Sequence, residues 1–299
     1  MSNDEGICSV KLIQIAAPDF DLEKTLNSGQ VFDWENYGNG FVGTIAGSAV
    51  YVEQRGDILK VRFGETRALP QVVARYFALD HPLEEICASF PRDPVMDAAR
   101  DFCRGLRIIR QPQWECLATF ICSSMKQVAH IRQISQALRQ RFGQRKQICG
   151  REVFSFPSPE ALARTTEKEL RKCGLGYRAK NLLATAKRVA SGEADLDSWR
   201  ALSERQLREQ LCELPGVGMK VANCVMLFAY ERIAAFPIDV WIERVLRETY
   251  FVGGRKVTSK AMAEFVSNYF GAHGGYAQQY LFHHARMTGK RKSRTRSID

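Results

Sequence analysis

The sequence predicts an α+β protein, in which a small N-terminal antiparallel β-sheet domain is followed by a mainly α-helical domain. Residues from about 10 to 65 alternate in the strand manner, and residues 48–53 and 58–63 flank the turn sequence RGD at residues 55–57, as expected of a β-hairpin. After about residue 95 the pattern becomes helical and stays so. We therefore predict a sheet domain at residues 1–98, a helical domain at residues 99–289 and a basic tail at residues 290–299.

Two capping boxes mark helix starts in the second domain. Thr166 is followed at the third position by Glu169, and we expect the helix that opens there to end at Gly174. Ser203 and Gln206 repeat the spacing. The apolar residues that then recur at helical intervals are Leu207, Leu211 and Leu214.

The charge balance favours a polyanionic partner. The 299 residues include 43 Lys and Arg against 33 Asp and Glu, which gives a net charge of +10. Such a balance suits nucleic acid, although a basic protein without such a partner remains the alternative. The segment from Arg286 to Asp299 holds six basic residues and one acidic residue, and we expect a disordered tail there. Its alternatives are a phosphate-binding arm or a nuclear address.

Cysteine usage and hydropathy limit the class further. The nine cysteines form no CxxC pair, so neither a disulfide framework nor a zinc or iron-sulfur cluster is indicated. The N-terminus is acidic and lacks an apolar core behind it, and no apolar run approaches the ~20 residues of a membrane helix. We expect an intracellular protein that acts with DNA, in bacterial cytoplasm or nucleoid in preference to a nucleus.

The sharpest local pattern is LPGVGMK at residues 214–220, within a predicted helix-hairpin-helix at about residues 203–230. Gly216 and Gly218 enclose one apolar residue in a tight turn, and a helix N-terminus follows. Accessible backbone N–H groups at such a place suit a DNA phosphate. A plain turn between helices is the alternative.

Two ionisable residues near this turn are candidates for chemistry. Lys220 lies on the first helical turn, where the helix dipole and burial both disfavour the ammonium form and favour a nucleophilic amine. Asp239 is expected to cap the next helix, and a carboxylate there can stabilise positive charge on a sugar that is losing its base. A solvated surface lysine and an aspartate that only caps a helix are the alternatives.

Together these residues resemble the helix-hairpin-helix DNA glycosylase superfamily. The resemblance rests on LPGVGxK followed by PxDV, and the lysine implies a bifunctional member that releases the base and nicks the backbone by β-elimination. No cysteine follows Cys224, so the branch that ends in a four-cysteine iron-sulfur motif is unlike this chain.

Further stretches are similar to the 8-oxoguanine glycosylases in particular. The family's glycine segment matches NSGQVFDW at residues 27–34, which implies that the carbonyl of Gly29 accepts the N7 proton of 8-oxoguanine. The pocket helix matches GYAQQYLF at residues 275–282, so Gln278 would pair with the base edge and Phe282 would stack on the ring. Cys224 would cover the other face, although core packing is the commoner role of a lone Phe or Cys.

Two stretches resemble the family's contacts to the DNA gap. Within GLGYRA at residues 174–179, Tyr177 would wedge between bases and Arg178 would face the orphaned partner, unless the segment is an ordinary loop. Met125 stands where the family has asparagine, and His130 where it has arginine. Because methionine offers no hydrogen-bond donor, we expect weak discrimination among opposite bases. Trp241 replaces a histidine that contacts phosphate in some members, and that role is not carried over.

The resemblance implies an enzyme that excises 8-oxoguanine from double-stranded DNA. We expect a monomer that needs no catalytic metal or organic cofactor, while the sequence leaves open whether the hairpin carbonyls hold a cation. A monofunctional alkylpurine glycosylase is the rival enzyme, because it shares the hairpin and the aspartate and uses water as nucleophile. A non-catalytic DNA-binding module is the rival of another class, and it would tolerate loss of Lys220.

Overall fold

An antiparallel sheet opens the fold. The computed structural model describes residues 12–64, 70–124, 126–251 and 257–295, with side chains to residue 289. Within these residues the N-terminal sheet has five strands in the order β1-β5-β4-β3-β2. They are β1 (Ile13–Ala16), β2 (Glu35–Tyr37), β3 (Gly40–Ile45), β4 (Ser48–Arg55) and β5 (Ile58–Phe63). The predicted hairpin is confirmed as β4 and β5, in which Val52 lies opposite Val61.

Helices make up the rest of the fold, in agreement with the predicted α+β class. The first helices are α1 (Leu22–Asn27), α2 (Pro70–Tyr76), α3 (Leu83–Ala88), α4 (Pro94–Phe102), α5 (Gln113–Ser123) and α6 (Val128–Phe142). They are followed by α7 (Pro159–Ala163), α8 (Glu167–Arg171), α9 (Arg178–Ala190) and α10 (Glu204–Cys212). The last are α11 (Met219–Ala229), α12 (Val240–Thr249), α13 (Ser259–Phe270) and α14 (Gly274–Thr295). In the described part of the chain, no helix is both long and apolar enough to cross a membrane.

Two apolar cores explain why the elements assemble. Alternate residues of β4 and β5, including Val50 and Leu59, are fully buried against α2. The helical core is centred on α5 and α11, which are buried on nearly all sides. Phe120 of α5 stacks on Phe228 of α11 with ring centroids 5.4 Å apart. Because apolar side chains cover almost the whole surface of α11, this helix lies inside the domain, and its N-terminus is held rigidly.

The expectation of uninterrupted helix after residue 95 is wrong in one place. A second hairpin, β6 (Arg145–Ile148) and β7 (Arg151–Phe154), interrupts the helices and packs against β3 and β4 of the sheet. Its buried contact is Cys149, whose carbonyl accepts a hydrogen bond from the Tyr37 hydroxyl at 2.9 Å. Strands this short and polar carry little periodic pattern, so only the tertiary contact stabilises them. Residue 98, where the sequence predicted the domain boundary, lies inside α4.

Both predicted capping boxes are present, at Thr166 and Ser203. The helix that opens at Thr166 ends at Arg171, however, and does not continue to Gly174. Residues 172–174 close a tighter turn in which the Gly174 amide donates to the Arg171 carbonyl at 3.1 Å, and Gly174 has φ of +83°. A residue in that left-handed conformation ends a helix, and the tightened turn before it shortens α8 by three residues.

The C-terminal segment corrects a further expectation. Helix α14 continues to Thr295, so the disordered tail predicted from Arg286 is wrong over that span, and residues 296–299 lie outside the described residues. Arg286 is only 7% exposed, because it lies on the face of α14 that carries the buried Gln278 and Gln279. Its side chain donates a hydrogen bond to the Asn27 carbonyl. The charge pattern of the sequence does not indicate that Arg286 is buried.

Candidate active site

The turn between α10 and α11 contains two glycines with different surroundings. Gly216 has φ of +84°, and a Cβ added there would stand 2.8 Å from the Cβ of Asn181. This glycine is therefore required by the shape of the turn. Gly218 has an extended backbone, and a Cβ there would meet nothing within 4 Å. The space at Gly218 remains open at the N-terminus of α11, which no side chain caps.

Helix α9 fixes the turn from behind. Thr185 Oγ1 donates to the Pro215 carbonyl at 3.0 Å, and Arg188 Nη1 donates to the Glu213 carbonyl at 2.9 Å. These bonds satisfy carbonyl groups that the end of α10 leaves without helical partners. The predicted helix-hairpin-helix at about residues 203–230 agrees with the bounds of α10 and α11.

Lys220 is half-buried on the first turn of α11. Its Nζ donates a hydrogen bond to Ser123 Oγ at 3.1 Å and lies 5.2 Å from the centre of the Phe120 ring. Ser123 is the last residue of α5, so two buried helices fix the position of the amine. An amine held against an aromatic ring and a hydroxyl is restrained in direction, which suits a nucleophile.

Asp239 caps α12 as predicted, and its carboxylate does more than cap. Both backbone bonds use one oxygen, since Oδ1 accepts from Trp241 N at 3.1 Å and from Ile242 N at 2.9 Å. Within the described residues, Oδ2 accepts no hydrogen bond. Burial raises the pKa of Asp239, although the Ile242 amide and the charge of Lys220 oppose the increase. The aspartate therefore begins a helix and leaves a second oxygen without a hydrogen bond, within range of the charge of Lys220.

A cavity of about 770 Å³ joins these residues to the predicted base-binding groups, and we call it the active-site cavity. Helices α5, α6, α11, α12 and α14 and the loop after α1 form its walls. The predicted site residues that line it are Gly29, Gly216, Gly218, Lys220, Cys224, Asp239, Gln278 and Phe282. Residues from five separate places in the sequence thus converge on one space of the size of a ligand pocket.

Gln278 is the clearest sign that this space receives a polar ligand. Its side chain is 4% exposed, and its Oε1 is buried without a hydrogen-bond partner among the described residues. A buried acceptor without a partner costs about 1–3 kcal/mol, so such groups are rare outside binding sites. A ligand that donates a hydrogen bond here would remove that cost.

Gly29 and Phe282 approach each other across the cavity wall. Gly29 has φ of +90°, and a Cβ there would stand 3.1 Å from Phe282 Cε1 and 3.4 Å from Arg286 Nη1. Any other residue would strain the backbone and crowd the ring. Cys224 is also buried, and burial raises the pKa of its thiol to about 11, so it is uncharged near neutral pH. Trp241 lies on the wall beside Asp239.

The predicted contacts to the DNA gap do not line the cavity. Tyr177 is 59% exposed, and His130 is exposed on the first turn of α6. Arg178 differs from the expectation because it is buried: its guanidinium donates to the carbonyls of Ser124 and Leu175 and lies over the Tyr177 ring at 4.4 Å. The Ser124 carbonyl lies at the end of α5, where the helix supplies no further donor, so the free protein uses Arg178 internally. Met125 lies outside the described residues.

Several residues of the cavity are not indicated by the sequence patterns. Ser123 and Phe120 hold Lys220, but Ser123 is 97 positions away along the chain, and no spacing rule links the two. Gln279 donates to the Ser28 carbonyl at 3.2 Å and fixes the loop that carries Gly29. Arg286 lines the cavity one turn beyond Phe282 and was assigned to the tail instead. A pattern of i, i+4 and i+8 along α14 would have found it.

Comparison with known proteins identifies the family. Residues 12–117 match the family model described as 8-oxoguanine DNA glycosylase, N-terminal domain, and residues 118–269 match the HhH-GPD superfamily base excision DNA repair protein. A probable N-glycosylase/DNA lyase of Methanothermobacter thermautotrophicus is 31% identical over 93% of this chain and 97% of its own length. The Arabidopsis thaliana N-glycosylase/DNA lyase OGG1 is 32% identical over 90% of this chain and 78% of its own.

A solved structure agrees with these relatives. The Clostridium acetobutylicum 8-oxoguanine glycosylase/lyase, in complex with double-stranded DNA containing cytosine opposite 8-oxoguanine, matches with a TM-score of 0.85. It is 30% identical, and the match covers 93% of this chain and 98% of the other. The chain therefore belongs to the 8-oxoguanine DNA glycosylases of the HhH-GPD superfamily.

Proposed function

We propose that this bifunctional DNA glycosylase/AP lyase flips 8-oxoguanine into the active-site cavity and excises it with Lys220 as nucleophile. The observation that carries the proposal is that a restrained lysine, a carboxylate with a free oxygen and an unpaired amide acceptor share one cavity. An enzyme that acts on a base has to take it out of the stack into such a pocket.

The chemistry follows from the placement of Lys220 and Asp239. The lone pair of the Lys220 amine attacks the sugar carbon C1′, a C–N bond forms, and the glycosidic bond breaks with its electron pair leaving on the base. Asp239 stabilises the positive charge that develops on the sugar. The attached nitrogen then loses a proton, the C1′–O4′ bond breaks with its electron pair on O4′, which takes up a proton, and an imine forms at C1′. Loss of a proton from C2′ gives an enamine, because the imine accepts the electron pair. The C3′–O bond then breaks, the phosphate leaves with its electron pair, and the strand is broken on the 3′ side. The bond to Ser123 Oγ holds the amine until the base arrives.

Recognition of the base uses the remaining walls. The Gly29 carbonyl accepts the N7 proton that 8-oxoguanine has and guanine lacks, and Gln278 pairs with the Watson-Crick edge. Phe282 and Cys224 cover the two faces of the ring. The unpaired Oε1 of Gln278 and the close approach of Gly29 to Phe282 support these roles.

The duplex is held outside the cavity. The uncapped N-terminus of α11 at Gly218 binds a backbone phosphate, because its amide groups have no side-chain partner and the space in front of them is open. The exposed Tyr177 wedges into the helix where the base has left.

Discrimination among opposite bases is weak in this proposal. Met125 has no donor, and the described contacts of Arg178 are internal. Side-by-side single-turnover assays with each base opposite 8-oxoguanine test the point. Rates within about tenfold of one another are expected, because the base contacts that would discriminate, each worth roughly 1–3 kcal/mol, are missing. A strong preference for cytosine would contradict this proposal.

The central experiment is borohydride trapping on an 8-oxoguanine duplex, with an undamaged duplex as control. Wild type is expected to form a covalent adduct on the lesion only, and Lys220→Gln to form none. Lys126→Gln is the matched control, because Lys126 also lines the cavity yet is exposed at its rim, and it should still be trapped. Base release by wild type without any adduct would indicate a water-using alkylpurine type of glycosylase. Equal binding to both duplexes without release would indicate a binding module.

A further inference from the structure

Arg286 occupies a place in the active-site cavity that the proposed chemistry does not use. It follows Gln278 and Phe282 on the same face of α14, at intervals of four residues, and lines the cavity with them. Its guanidinium carbon lies 5.6 Å from the centre of the Phe282 ring. A base that stacks on Phe282 would therefore lie close to the guanidinium.

Only some of the N–H donors of this guanidinium have hydrogen-bond partners. Nη2 donates to the Asn27 carbonyl and lies 3.4 Å from His283 Nδ1. Nε is buried without a partner, and Nη1 makes no hydrogen bond with the described residues. Nη1 is the atom 3.4 Å from where a Cβ on Gly29 would stand. A donor is thus left over on the side of the cavity where Gly29 approaches.

The charge of Arg286 is also uncompensated. Within the described residues it forms no ion pair, and the neighbouring charge that acts on it is that of another arginine, Arg132. Burial, and then the charge of Arg132, lower the pKa of Arg286 to about 10, so it is still a cation near neutral pH. Burial and the charge of Arg286 lower the pKa of His283 to about 4, so this imidazole is neutral. Of the charged residues that line the cavity, three are basic (Lys126, Lys220, Arg286) and one, Asp239, is acidic.

We propose that Arg286 determines base specificity, by donating from Nη1 to a ring carbonyl of the flipped base and by repelling bases that carry a positive charge. The inference deepens the proposed function and rests on it, because the base has to enter this cavity. A carbonyl-rich, uncharged oxidised purine satisfies the free donor. A purine alkylated at a ring nitrogen carries a formal positive charge, and a buried guanidinium without a carboxylate disfavours it.

The test compares excision of 8-oxoguanine and of cationic 7-methylguanine from the same position of one duplex, under single turnover. Arg286→Met removes the charge at similar length. The expected result is at least a tenfold slower release of 8-oxoguanine, as loss of a hydrogen bond from a charged group predicts, together with a faster release of 7-methylguanine than wild type achieves. A purely structural role would slow both reactions equally, and that outcome would overturn the proposal.

Arg107→Met is the matched control. Arg107 is also buried, also lacks an ion pair among the described residues, and donates from Nη1 to the carbonyls of Ala78 and His81, each at 2.8 Å, but it does not line the cavity. This variant should lose stability without changing the ratio of the two rates. If Arg286→Met fails to give a cooperative thermal transition, Arg286→Gln replaces it, because an amide retains a donor for the Asn27 carbonyl and has no charge. The same change in the ratio is expected.

The two release rates of the wild-type enzyme distinguish failure of the role of Arg286 from failure of the proposed function. Release of 7-methylguanine that is measurable but much slower than release of 8-oxoguanine is expected. Equal release of both bases would overturn the role of Arg286 and leave the proposed function standing. Release of neither base would overturn the proposed function, and with it this inference.

Discussion

The cavity wall proposed to bind the base and the loop at residues 174–179 differ in how ready they are for DNA. Gln278 and Gly29 already face an open space, and one buried acceptor has no partner there. In the loop, Arg178 is buried and hydrogen-bonded to carbonyl groups of its own chain, while Tyr177 is exposed. The proposed pocket for the base is therefore already formed in the free protein, whereas contacts from Arg178 to the opposite strand would require its internal bonds to break.

The largest effect should come from the carboxylate. Asp239→Asn is expected to slow base release by about 100-fold or more, because loss of one electrostatic stabiliser of a transition state has that size. Asparagine still caps a helix, so the free energy of unfolding should change little. Single-turnover assays and thermal denaturation measure the two effects.

Asp93→Asn provides the control for that variant. Asp93 caps α4 through the same pair of backbone bonds, to Val95 N at 3.0 Å and Met96 N at 2.9 Å, far from the cavity. It also accepts hydrogen bonds from two tyrosine hydroxyls, so its replacement should cost stability and leave the rate unchanged. A rate loss as large as that of Asp239→Asn would show that the effect at Asp239 is not specific to a carboxylate in the cavity.

If the pocket is already formed in the free protein, replacing Gln278 should lower activity and raise stability. Gln278→Leu should slow 8-oxoguanine release by about 10- to 100-fold, because a base edge is left without its partner. The same change should raise the free energy of unfolding by about 1 kcal/mol, since a buried acceptor without a partner disappears.

Gln279→Leu is expected to behave in the opposite way in the stability measurement. Its Nε2 donates to the Ser28 carbonyl, so removing it leaves that carbonyl unpaired and destabilises the fold. If denaturation shows that Gln278→Leu and Gln279→Leu lower the free energy of unfolding equally, then Gln278 has a hydrogen-bond partner in the free protein and the prediction is wrong.

The pH dependence should report the burial of Asp239. Its pKa is raised, so protonation removes the stabilising carboxylate at a pH above the range of an ordinary aspartate (about 3.9). The rate of base release should therefore fall on the acid side with a midpoint above that value. Stability should respond with the opposite sign, because a raised pKa in the folded state means a contribution that is complete below about pH 3.9 and is lost as the pH rises through the folded pKa. The difference in unfolding free energy between wild type and Asp239→Asn, followed across that window, measures it.

The smallest effects should separate the two residues of the loop. Tyr177→Ala should weaken binding to lesion DNA by a few-fold to about tenfold, with no change in stability, since the ring is exposed. Arg178→Ala should cost about 1–3 kcal/mol of unfolding free energy because it leaves the half-buried Ser124 carbonyl without its donor. Binding isotherms and denaturation curves give both numbers. If Arg178→Ala keeps its stability and loses only DNA binding, the internal bonds of Arg178 are unimportant.

Local patterns accounted for the elements whose signals lie within a few residues. The β4–β5 hairpin, both capping boxes and the cap at Asp239 follow from alternation and from side chains that bond to nearby amides. The hairpin at residues 145–154 did not follow, because its strands are polar and exist through contact with β3 and β4. Helix α8 ends about one turn before the predicted position, because the chain tightens before Gly174.

The amino-acid sequence by itself determined the fold class, the place of the helix-hairpin-helix turn and the residue types proposed for the chemistry, because these depend on periodicity and on short motifs. Only the tertiary structure decided which distant residues meet Lys220, that Arg178 is turned inward and that Arg286 belongs to the cavity wall. The physical reason is that hydrogen-bond partners of a buried side chain are set by packing between elements far apart in the chain, about which local spacing carries no information.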